Sequence, residues 1–155
     1  MTEKIFGPLN EKQKLELCQQ FALASTPLLR SFFEAYGEGS LKVVREFGKT
    51  LSDNLYEQSK HLKGKSLREI IMPFICIIDA LVGGPIELIE ETEDKIVYNI
   101  DKCPSAFGFS DTDDNLCRTL NILEENYAKR MGLGYTFLRR RSADNNSCEK
   151  CFFKR

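Results

Sequence analysis

The hydrophobic pattern changes period at Gly83-Gly84-Pro85, and that switch limits the chain to folds that join helices to an antiparallel sheet. Ahead of the switch, apolar residues recur at helical spacing. Asn10 is placed to cap a first helix with Leu15, Cys18, Phe21 and Ala22 on one face. Thr26 and Pro27 start a second helix, whose apolar positions Leu28, Leu29, Phe32, Phe33 and Tyr36 end at Gly37 and Gly39. Ser40 opens a third, with Leu41, Val44, Phe47, Leu51 and Leu55 as its apolar stripe, fraying near His61 and Gly64. Ser66 and Glu69 form a capping box for a fourth, which runs through an Ile-rich segment to the glycine pair.

Behind the switch, Pro85 to Glu91 and Lys95 to Asp101 alternate as two strands around the acidic turn Thr92-Glu93-Asp94. In the second strand Ile96, Tyr98 and Ile100 share one face, which predicts a sheet buried on one side. Acidic residues from Asp111 to Asp114 suit the start of a fifth helix carrying Leu116, Leu120, Leu123, Tyr127 and Met131. Strands from Tyr135 to Arg141 and from Cys148 to Lys154 close the chain. The expected fold is therefore α+β, with N-terminal helices packed on a four-stranded antiparallel sheet in the order αααα-ββ-α-ββ.

At 155 residues the chain makes one domain, residues 1–155, with neither repeat nor linker. A domain of that size buries roughly 70% of its unfolded surface and needs no staples. Charges balance at 22 basic and 23 acidic residues, which gives no bulk attraction to nucleic acid or anionic lipid. The longest apolar run, Ile70 to Val82, is interrupted by Pro73 and Asp79 and falls short of a membrane span. The N-terminal residues lack a secretory pattern, so the expected location is the cytoplasm.

Six cysteines in a reducing compartment are free, metal-bound or redox-active. Cys18 and Cys76 sit among apolar helical neighbours, as small hydrophobes do. Cys103, Cys117, Cys148 and Cys151 lie in the last third, the final two as a Cys-x-x-Cys. Thiolates are favoured ligands of zinc and of iron–sulfur clusters, so these four are the candidate metal ligands. Residues three apart in an extended strand face opposite sides, however, so Cys148 and Cys151 can share a ligand only through a turn or bulge. Four reduced thiols, or a reversible disulfide within the pair, are the alternatives.

Other chemistry is sparse. His61, the sole histidine, lies in a Lys-rich stretch and reads as a surface residue. Serine-hydrolase elbows, phosphate-binding glycine loops and His-Glu-x-x-His are absent from the sequence. Arg139-Arg140-Arg141 reads as solvated strand-edge charge. Phe107 and Phe109, with Tyr127 on the fifth helix, are the candidate ligand-binding residues of a pocket beside the helices.

The stretch from Tyr36 to Gly39 with the following Leu41 to Leu55, the Gly83-Gly84-Pro85-Ile86-Glu87-Leu88 entry to the hairpin and the closing cysteine-aromatic strand resemble the 4-vinyl reductase domain family. Lys102-Cys103-Pro104, Leu116-Cys117 and the stretch Arg141 to Cys148 resemble the L-2-amino-thiazoline-4-carboxylic acid hydrolase-like family. Together the two patterns span roughly residues 36 to 155. The first resemblance implies a small-molecule-binding domain related to effector sensors, in which cysteines and a glutamate hold zinc. Cys117 and one of Cys148 or Cys151 match that scheme. The sequence departs from it at Phe137-Leu138-Arg139-Arg140-Arg141, where further ligands would lie, and at Asn145-Asn146, which replace Gly-Asp. Cys103 and the second cysteine of the pair would then have to complete any metal site.

The leading expectation is a sensor-like module that binds a small, partly apolar molecule, with zinc or an iron–sulfur cluster on the cysteines and a possible homodimer through the helical half. It expects neither membrane nor direct nucleic-acid contact. The alternatives are a metal- or cysteine-dependent hydrolase of a small cyclic amide or thiazoline, in which Cys117 matters for turnover, and a thiol redox switch.

Overall fold

The computed structural model describes residues 31–82, 86–100, 121–139 and 148–155, with Asn10, Lys12, Gln13, Glu16, Leu17, Gln20, Leu28 and Thr119 as single positions. It is an α+β fold with all four strands antiparallel in one sheet. Residues 31–36 are helical and end at Gly37, whose φ of 55° is open to glycine because it has no Cβ to clash. Helix α1 follows at once, Glu38–Ser59, and a 3-10 turn, Lys60–Leu62, leads toward helix α2, Leu67–Val82. Strands β1, Ile86–Glu91, and β2, Lys95–Ile100, form the hairpin. Helix α3, Ile122–Met131, then precedes β3, Leu133–Arg139, and β4, Cys148–Lys154.

Three helices precede the hairpin among the described residues, giving α-α-α-ββ-α-ββ in place of the expected αααα-ββ-α-ββ. The break expected at Thr26-Pro27 falls outside the described residues, while Gln20 before it and Leu28 after it are helical. Helix α1 also starts two residues ahead of the expected Ser40. Gly37 occupies the cap position, and the Ser40 hydroxyl donates to the Gly37 carbonyl at 2.7 Å. The capping box of α2 forms as expected, with the Ser66 N–H and hydroxyl both donating to Glu69 and the Glu69 N–H donating back to the Ser66 oxygen. Pro73 lies within α2 on its exposed side, where solvent can serve the carbonyl that loses its N–H partner.

The apolar stripe expected of α1 is only partly the buried one. Leu41 and Val44 are buried, but Phe47 is 67% exposed, and the buried line continues through Gly48 and Ser52. Small side chains here let α3 approach closely. A Cβ on Gly48 would stand 2.3 Å from the Ile122 Cγ2 atom. Gly48→Ala is therefore expected to destabilise the protein by about 1 kcal/mol or more through overpacking. In an Ile122→Ala background the sign should reverse, because alanine then keeps its helical advantage of about 1 kcal/mol over glycine. Urea unfolding of the four proteins measures both steps.

In the sheet, the strand order is β1-β2-β4-β3. Tyr98 pairs with Lys150, Ile96 with Phe152 and Ile100 with Cys148, so these six residues share one face by alternation. That face meets α2 and α3. Phe152 lies at its centre, fully buried, with Phe74 edge-on at 5.6 Å, Tyr98 stacked at 6.0 Å and Tyr135 at 5.1 Å. The expectation of a single buried face is corrected here. Val97, Asn99 and Cys151, which alternate to the opposite face, are buried as well.

Candidate functional site

Polar side chains collect at one end of the helix-facing side, where β2 ends, β4 begins and α3 starts. The end is defined by the Ile100 and Cys148 pair; the next pair inward on this face is Tyr98 and Lys150. Lys150 is buried and donates to Glu124 at 2.5 Å, with side chains only 8% and 5% exposed. Glu124 stands in the first turn of α3, where the helix dipole favours negative charge. It also falls on the helix's buried side, with Tyr127, Ala128 and Met131 following at helical spacing.

Taking such a pair out of water costs several kcal/mol per ion, which close contact only partly offsets. Burial disfavours the Lys150 ammonium, but its neighbours, the Glu124 carboxylate foremost, together outweigh burial and hold the lysine above its ordinary value, so it stays charged. The Lys150 ammonium also lies 5.6 Å from the centre of the Phe137 ring. Beside it, the Tyr98 hydroxyl is fully buried and meets no hydrogen-bond partner among the described residues. Burial holds that phenol in its protonated form, well above its ordinary value. Tyr135 completes the cluster by donating to the Asn121 side-chain oxygen at 2.8 Å.

Of the expected ligand-binding residues, Phe107 and Phe109 lie outside the described residues. Tyr127 is buried in the packing between helices: its ring stacks on Phe74 at 4.7 Å and its hydroxyl meets the Ser59 hydroxyl at 3.0 Å. Of the expected metal ligands, Cys103 and Cys117 lie outside the described residues. Cys148 and Cys151 are both buried thiols, and the sheet divides them. Their ladder with β2 runs without a break from Cys148 to Phe153, so the turn or bulge needed to bring them together is missing from β4. Cys148 belongs to the apolar core under the helices and senses Lys150 and Tyr98, whereas Cys151 senses Lys95 and Glu90 on the other face. One ion cannot take both sulfurs. Their Cα atoms, three residues apart in an extended strand, are separated by about 10 Å, beyond the reach of a disulfide. Burial also pushes the Cys151 thiol up, away from the thiolate form. Among the described residues, no group of three or more His, Cys, Asp or Glu side chains is arranged to hold a metal.

His61 is exposed in the 3-10 turn, as expected. A separate open groove lies on the surface between the start of α2 and the hairpin turn, lined by Ser66, Arg68, Glu91 and Lys154 among others. Arg68 there is engaged with Glu91 and Lys154 with Asp94. No helix among the described residues is long and apolar enough to cross a membrane.

The sequence reading placed Tyr98 on the buried face of its strand but made none of Tyr98, Glu124 and Lys150 a site residue. The signal for two of them was present: an acidic residue on the apolar stripe of α3, and a lysine in phase with Phe152 on β4. Comparison with protein-family models and with curated proteins finds no match to this chain.

Proposed function

We propose that the chain is a small-molecule-binding domain, as its resemblance to the 4-vinyl reductase domain family implies, with its ligand anchored at the Tyr98, Lys150 and Glu124 cluster. The observation that carries this reading is the Tyr98 hydroxyl, a fully buried polar group with no partner among the described residues, set beside a buried ion pair. A buried donor left unsatisfied costs about 1–3 kcal/mol, so its presence in a core calls for an explanation, and a bound acceptor supplies one. The surrounding aromatic and Ile side chains make the setting of the cluster apolar.

This reading takes no metal through the Cys148 and Cys151 pair and no disulfide within it, because the sheet separates them. The hydrolase alternative rests on Cys117, which lies outside the described residues.

Tyr98→Phe tests the proposal. It removes the unpaired hydroxyl and keeps the ring, so the ligand-free protein is expected to gain about 1 kcal/mol of unfolding free energy. A loss of stability on the same substitution, in chemical denaturation, would show that the hydroxyl is already satisfied and would remove the reason for placing a ligand there.

A further inference from the structure

One hydrogen-bond donor in this cluster, the Tyr98 O–H, lacks an acceptor among the described residues. An ammonium carries three N–H donors. Among the described residues, the acceptor that Lys150 meets is the Glu124 carboxylate, while the Tyr98 O–H adds a donor with no acceptor at all. Tyr135 donates its own O–H to Asn121, and its oxygen does not accept from Tyr98. A group that enters to complete the cluster must therefore bring an oxygen or nitrogen lone pair.

Charge narrows the choice. Lys150 and Glu124 already neutralise each other, in contact and almost without solvent. A carboxylate ligand would add an unbalanced negative charge next to Glu124, and an ammonium ligand an unbalanced positive charge next to Lys150. Either ion would have to shed its hydration with only half of a pair to receive it. An uncharged acceptor faces neither penalty.

Resting on the ligand site proposed above, we infer that the natural ligand presents an uncharged carbonyl oxygen, as a ketone, ester or amide does, to the Tyr98 hydroxyl and the Lys150 ammonium. The apolar remainder of such a molecule would lie against the Phe152, Ile96 and Ile100 side of the cluster, which alternation places on the same sheet face.

Four probes that share a six-membered ring and differ in polar group separate the outcomes: N-methyl-2-piperidone, cyclohexanecarboxylate, cyclohexylammonium and methylcyclohexane. Each is titrated by NMR into the full-length protein and into its Tyr98→Phe variant. The expected result is that N-methyl-2-piperidone binds about tenfold more tightly than the hydrocarbon and than either ion, and that this preference disappears in Tyr98→Phe. A carboxylate or ammonium preference that depends on Tyr98 would overturn the carbonyl assignment while leaving the site intact. A preference for the piperidone that survives Tyr98→Phe, or the failure of every probe to bind, would overturn the site and the assignment with it.

Discussion

Lys150→Ala is expected to destabilise the protein by about 3–5 kcal/mol, because it leaves the Glu124 carboxylate buried with its countercharge gone. That is a large share of the total stability of a domain this size. The cost arises from the unpaired ion and not from the worth of the pair, which gives the prediction a second arm. The double variant Lys150→Met, Glu124→Leu removes both charges and fills similar volume, and should recover most or all of the loss. Urea unfolding of wild type, Lys150→Met, Glu124→Leu and the double variant forms the cycle. Equal losses in the single and double variants would mean that the two residues contribute by packing alone. A ligand that contacts the pair should bind the double variant poorly even where the fold is restored, separating the role in stability from the role in binding.

Phe152→Ala is expected to cost a similar amount, about 3–5 kcal/mol, for a different reason. The ring is fully buried and touches the rings of Phe74, Tyr98 and Tyr135, so it ties α2 to β2, β3 and β4 at one point. Truncation empties the centre of the core, and neighbours drawn from several elements cannot close the space together. Phe152→Leu, which keeps more of the volume, should cost clearly less. Denaturant midpoints compare the two. A small loss for Phe152→Ala would mean that the helices are not packed on this face as described.

Much of the fold was legible in the sequence because local chemistry decided it. The Ser66 and Glu69 capping box, the turn at Thr92-Glu93-Asp94 and the strand Cys148–Lys154 each follow from residues close together in the chain. Where the sequence misled, distant residues decided. Phe47 fits a helical apolar stripe, yet the close approach of α3 turned the buried side of α1 toward Gly48 and Ser52. Val97 and Cys151 alternate away from the helices on the two inner strands and are buried all the same.

The candidate site was hidden for the same reason. Lys150 in a closing strand resembles ordinary surface charge until strand order places it opposite Tyr98, and Glu124 resembles a favourable first-turn acid until the helix is rolled onto the sheet. The Cys-x-x-Cys drew attention as a pair, whereas strand geometry makes its two sulfurs neighbours in sequence alone. The rule that separates them was available from the sequence; the unbroken ladder between β2 and β4 is what makes it binding.

The most direct test of the site is the 13Cζ resonance of Tyr98 in tyrosine-labelled protein, assigned by its loss in Tyr98→Phe and followed as N-methyl-2-piperidone is added. The account predicts a saturable shift of that resonance, with those of exposed Tyr36 and of Tyr127 unmoved. Saturable binding of the probe with the Tyr98 signal unchanged would place the ligand elsewhere and contradict it.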